Sequence, residues 1–107
     1  MTDRIPERST QYVAYTFKDN AGAVVQPNSG RYRIDDLTTG RQVRGWTTIS
    51  GVQGTGTVTL TAADTAIVNR VNTLERRLVQ VEGTYGVDDK ARDTIEMEIE
   101  RVSGSGD

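Results

Sequence analysis

Thr73-Leu-Glu-Arg-Arg-Leu-Val-Gln-Val-Glu-Gly-Thr-Tyr85, then Gly86-Val-Asp-Asp-Lys-Ala-Arg-Asp93, then Thr94-Ile-Glu-Met-Glu-Ile-Glu-Arg-Val102, is the stretch that decides the fold. Both flanks of the polar run alternate. Ile95, Met97 and Ile99 point one way, and Glu96, Glu98 and Glu100 the other. A period of two is the mark of a half-buried strand; a helix spreads these residues around its axis. In the first flank Val79, Val81 and Tyr85 share a face with Gly83 between them, and Gln80, Glu82 and Thr84 take the other. The two flanks read as a long antiparallel hairpin, dry on one face and wet on the other. A lone hairpin is marginal in water, so the dry face needs a partner sheet from earlier in the chain.

That earlier part supplies short alternating runs separated by turn residues. Tyr12–Lys18 alternates Val13, Tyr15 and Phe17 against Ala14 and Thr16. Arg31–Asp35 turns Tyr32 and Ile34 inward, and Arg31, Arg33 and Asp35 outward. Val43–Ile49 carries Trp46, the only tryptophan, and Thr57–Thr61 places Val58 and Leu60 on one face. Asp19–Gly22, Gln26–Gly30, Asp36–Gly40 and the glycine-rich Ser50–Gly56 are the intervening turns. Regularly spaced short strands predict an all-β antiparallel sandwich of about seven strands. Thr61–Val71 breaks the rhythm. Thr61 with Asp64 three residues on is an acid variant of the capping box, predicting one or two helical turns that cross between the sheets. Residues 1–11 read as a flexible or partner-ordered arm, 12–102 as the sandwich and 103–107 as a flexible tail.

At 107 residues the chain predicts one core and one domain. No window approaches the roughly 18 apolar residues of a membrane-spanning helix. The charged first ten residues lack the apolar centre of a secretory signal, which predicts synthesis in the cytoplasm. A formal charge of −2 gives no global attraction to nucleic acid or anionic membrane. There is neither His nor Cys. Ser–His and Cys–His nucleophile pairs are thereby excluded, and the usual zinc, copper and iron sites nearly so.

The remaining constellations favour surfaces over chemistry. Ser50–Gly56 lacks the Gly-Lys-Ser/Thr ending and following helix of a phosphate loop. Asp35 and Asp36 are adjacent on a strand and so point to opposite faces, which argues against an acid–base pair. Asp88, Asp89 and Asp93 form a carboxylate cluster at the hairpin tip, but Lys90 and Arg92 lie inside it and the spacing matches no calcium loop. Glu96, Glu98 and Glu100 make an acidic strip. It either protects an edge, pairs with arginines of its own chain, or docks on a basic patch of a neighbour built from Arg31, Arg33, Arg41 and Arg44. Trp46 is either core, as sandwiches often bury a tryptophan, or an exposed interface anchor beside Arg44.

Tyr15-Thr-Phe-Lys-Asp-Asn-Ala-Gly22, Arg31-Tyr-Arg-Ile-Asp-Asp-Leu-Thr-Thr-Gly40, Gly45-Trp-Thr-Thr-Ile49, Val58-Thr-Leu-Thr-Ala-Ala-Asp64 and Glu75-Arg-Arg-Leu-Val-Gln-Val-Glu-Gly-Thr-Tyr85 together resemble the small Ig-like structural proteins of tailed-phage virions, of the head-decoration or head–tail accessory type. The resemblance covers residues 12–102. It implies an Ig-like β-sandwich, a virion location, many copies per particle, and partners such as the capsid, the portal or connector, or a fibre. No catalytic or ligand residues carry over from it, so no enzyme activity and no cofactor are expected, and the small net charge adds the expectation of no nucleic-acid or membrane partner. The interface residues expected on this reading are Arg31, Arg33, Arg44, Trp46, Asp88, Asp89, Lys90, Glu96, Glu98 and Glu100. A glycan-binding Ig-like module of a tail fibre or bacterial surface protein is the alternative, and it requires Trp46 and a tyrosine exposed together in a shallow groove.

Overall fold

The computed structural model describes residues 3–87 and 89–102. It is all-β, with seven strands: β1 Asp3–Pro6, β2 Gln11–Thr16, β3 Ser29–Asp36, β4 Gln42–Thr48, β5 Thr55–Leu60, β6 Leu74–Tyr85 and β7 Asp89–Glu100. They form a five-stranded sheet ordered β1-β7-β6-β3-β4 and a two-stranded sheet of β2 and β5. The arrangement is consistent with a β-sandwich. Every pairing is antiparallel except β1 with β7.

The β6–β7 hairpin forms the spine, paired without interruption from Leu74↔Glu100 to Tyr85↔Asp89. Its tip is tighter than the polar run suggests. Gly86 takes the positive φ of 60° that the turn demands, and Asp89, Lys90, Arg92 and Asp93 belong to β7 rather than to a loop. Val79 and Val81 on β6, and Met97 and Ile99 on β7, turn inward and are buried. Leu60 and Val58 on β5, and Phe17 just past the end of β2, meet them in one core. Burying a Leu, Ile, Val or Phe side chain fully is worth roughly 1.5–3 kcal/mol, so these few positions carry much of the stability. Gly83 continues the inward row because Phe17 lies over it: a Cβ there would sit 2.9 Å from the ring.

The same parity carries Glu75 and Arg77 inward, and both are fully buried. Arg77 pairs with buried Asp36 and, at 3.0 Å, with Glu75. The remaining oxygen of Asp36 accepts the backbone N–H and hydroxyl of Thr39, tying the β3–β4 turn to the cluster.

The cluster explains why Thr61–Val71 holds no helix. The start signal works as expected: Thr61 N–H and hydroxyl donate to the Asp64 carboxylate, and Thr65 N–H reaches Thr61 O. A helix would next join Val68 N–H to Asp64 O and Asn69 N–H to Thr65 O. Instead Val68 and Asn69 N–H donate to Glu75 at 2.7 and 2.9 Å. Asp64 O and Ala66 O accept from Arg77, and Thr65 O accepts from Arg8 N–H. Buried side chains thus take the groups that a second helical turn needs, and the crossover is irregular.

The segment expected as an arm over 1–11 contains β1, which pairs with β7 of its own chain from Asp3↔Met97 to Pro6↔Glu100. Beyond it, Glu7 is buried, pairs with Arg70 and accepts Val102 N–H at 2.9 Å. Ser9 O accepts the hydroxyl of Thr65. Polar groups that look solvated in the sequence are bound to the crossover and to the end of β7. The tail 103–107 and Asp88 lie outside the described residues.

Candidate interaction face

The outer face of the five-stranded sheet gathers most of the candidate residues, and strand register sets their order. Thr48, Arg31, Glu82 and Arg92 form one cross-strand row, and Arg33, Gln80 and Thr94 the next. Asp35, Leu78 and Glu96 follow, then Arg76 with Glu98, then Leu74 with Glu100. Lys90 lies beyond Arg92, opposite Thr84. The face is therefore graded: basic near Lys90, Arg92, Arg31 and Arg33, and acidic toward Glu96, Glu98 and Glu100.

Trp46 stands at the basic end and is 40% exposed, so it is not a core residue. The Arg31 guanidinium carbon is 4.1 Å from its ring centroid and that of Arg33 is 5.6 Å away. A cation over an indole face is held by the ring quadrupole. Both guanidiniums are also fixed by acids. Arg31 donates to Glu82 at 2.8–3.0 Å, and Arg33 reaches Asp35 at 2.8 Å. Arg92 takes the second oxygen of Glu82 at 2.9 Å. Burial pushes the Glu82 carboxyl up, but the bonds from Arg92 and Arg31 outweigh it and hold the group below its ordinary value. Arg33 Nε is buried and has no hydrogen-bond partner among the described residues.

Arg44 does not join this patch. Between Tyr32↔Thr47 and Ile34↔Arg44, β4 advances three residues while β3 advances two. That extra residue is a β-bulge, and it reverses the parity at Arg44 until a second extra residue, between Ile34↔Arg44 and Asp35↔Gln42, restores it. Trp46 stays outside, while Arg44 turns toward the crossover and grips Asp64 with two hydrogen bonds, 2.9 and 3.0 Å. Alternation predicts Arg44 beside Trp46; Gly45 between them was the signal that it fails, since a glycine inside a strand often marks a bulge.

The acidic strip is partly answered within the chain: Arg76 pairs with Glu96, and Arg4 with Glu98 at 3.6 Å. Of the tip residues, Lys90 bonds the Thr84 hydroxyl at 2.8 Å and Asp89 is exposed. Asp93 points inward and accepts Thr16 N–H at 3.0 Å, linking the sheets. Asp35 and Asp36 lie on opposite faces, one with Arg33 and the other with Arg77. No group of three or more His, Cys, Asp or Glu able to hold a metal is present among the described residues, and no helix there is long and apolar enough to cross a membrane. No tyrosine shares the Trp46 face: Tyr12 is on β2 of the other sheet, Tyr15 is buried, and Tyr32 and Tyr85 lie on the inward parity.

Comparison with known proteins found no matching family model, and no similar curated protein or solved structure.

Proposed function

We propose that this chain is a non-enzymatic, Ig-like structural protein of a tailed-phage virion. It binds the capsid exterior or the head–tail connector region in many copies, as a decoration or accessory protein. The strand order supports the Ig-like part. Immunoglobulin domains place strands C, F and G in one sheet, with C′ added in the variable type, and B and E in the other. Taking β2 as B, β3 as C, β4 as C′, β5 as E, β6 as F and β7 as G matches each antiparallel pairing here.

The observation that carries the binding role is the Trp46–Arg31–Arg33 cluster. Trp and Arg are the residues most enriched at binding hot spots. Here they are half-exposed yet held in place by Glu82 and Asp35, so little side-chain freedom is lost when a partner arrives. The acids at the other end of the face give the contact a direction. On a symmetric particle modest individual contacts add through multivalency.

Mass spectrometry of purified particles made with the native chain is expected to find it in many copies. Particles made with Trp46→Ala are expected to be depleted of it. Native particles that contain none of the chain would overturn the reading.

A further inference from the structure

We infer that the free edge of β2 is a self-association site, where a second copy of this chain adds its own β2 antiparallel across a twofold axis. The site lies on the two-stranded sheet, away from Trp46, and does not depend on the proposed function.

Hydrogen-bond parity identifies the groups available. Phe17 N–H donates to Gly54 O on the β5 side, whereas Thr16 N–H donates away from β5 to Asp93. Successive backbone groups point to opposite edges of a strand, so Tyr12 and Ala14 present N–H and C=O on the same side as Thr16. Asp93 covers Thr16. Among the described residues no hydrogen bond engages the N–H of Tyr12 or of Ala14.

The edges of the five-stranded sheet are guarded, and this one is not. β1 is four residues long and ends in Pro6, and β4 carries the bulge and Arg44. The edge of β5 is open too, but Gly56 weakens that strand and only Thr55, Thr57 and Thr59 are exposed on it, with no large apolar side chain. β2 reads Gln-Tyr-Val-Ala-Tyr-Thr from residue 11 to 16, with no charge, Pro or Gly. Such an edge pairs with another chain unless something blocks it. Beside it opens a cleft of about 350 Å³ lined by Ile5, Tyr12, Val13, Ala14, Ile95 and Met97. Tyr12 is 72% exposed at its rim.

A second copy fits because the strand complements itself. Pairing Tyr12 with Ala14 of the second copy, and Ala14 with its Tyr12, uses all four free groups on each side. Each large exposed ring then lies over a small alanine. Val13 meets its own symmetry mate above Ile95 and Met97, and no charge opposes another. An isologous contact of this kind closes as a dimer and does not propagate.

Sedimentation of the full chain at ~100 μM is expected to show a dimer, as any Kd tighter than that requires. Ala14→Lys sets an outward charge on the edge without breaking a bond within the chain, and is expected to raise Kd at least ~10-fold while circular dichroism is unchanged. The chain has no cysteine, so one introduced Cys reports one contact. Facing residues of a non-hydrogen-bonded antiparallel pair lie about 4.5 Å apart at Cα, within disulfide reach. Oxidised Val13→Cys is therefore expected to form a covalent dimer, and Thr57→Cys on β5 is not. A native chain that stays monomeric at this concentration, a dimer indifferent to Ala14→Lys, or equal cross-linking through Thr57→Cys would each overturn the inference.

Discussion

Arg77 and Asp36 face each other across the β3–β6 pair and form an ion pair that neither side chain shares with solvent. Around them Glu75, the carbonyls of Asp64 and Ala66, and Thr39 complete the hydrogen bonding. This polar centre joins the hairpin spine, the β3–β4 turn and the crossover. Buried ions are tolerated only when fully paired, and removing one partner strands the others.

Arg77→Leu is therefore expected to cost about 3–5 kcal/mol, since it leaves Asp36 and Glu75 buried without their cation. Urea denaturation followed by circular dichroism measures this. A loss under about 1 kcal/mol, the range of an exposed pair, would show that the cluster is not closed to water.

Stability is expected to fall in acid. Burial pushes Glu75 up, but the N–H groups of Val68 and Asn69, with Asn72 and Arg77, outweigh it and hold the carboxyl below its ordinary 4.5. Burial likewise raises Glu7, and the bonds from Arg70 and Val102 bring it below that value. Glu82 behaves in the same way. A carboxyl depressed in the folded state stabilises fully above its unfolded pKa and loses that contribution as pH drops through the folded value. Urea midpoints should be level above pH 4.5 on account of these groups and decline below it. Glu75→Gln should show a shallower decline; an unchanged slope would remove Glu75 from the account.

Trp46 is expected to emit as a solvent-accessible indole and to be quenched readily by acrylamide. Trp46→Ala should cost no more than about 0.5–1 kcal/mol, the worth of an exposed cation–π contact, and leave the circular dichroism unchanged. A blue-shifted, unquenched emission would place the ring in the core instead.

Gly83→Ala is expected to destabilise by about 1–3 kcal/mol, because the new methyl overpacks the Phe17 ring. Phe17→Leu in the same chain should recover part of the loss, so the two substitutions are not additive in denaturant unfolding. Strict additivity would mean that the two residues do not share the space.

Alternation in the sequence was enough to name the faces of β6 and β7, because in a strand the direction of a side chain is a local property of the pleat. It placed Val79, Val81, Met97 and Ile99 inside and Glu96, Glu98 and Glu100 outside, as observed. It carried Arg31 and Arg33 outward too, where they meet Trp46. The same rule misplaced Arg44, since it lies between two extra residues in β4 that reverse parity and then restore it, and no local pattern obliges a strand to include them.

The residues themselves settled the all-β class, with about seven strands, and removed His- and Cys-based chemistry. Tertiary contact alone settled the fate of the charges. Glu75 and Arg77 stand on the inward parity of β6, where only partners from elsewhere in the chain make charges tolerable: Asp36, Ala66, Val68 and Asn69 close around them, and Thr61–Val71 read as helical until Glu75 and Arg77 took its backbone bonds. The physical reason is range. Side-chain direction along a strand follows from neighbours one or two residues away, whereas the burial of an ion depends on partners brought together from distant parts of the chain.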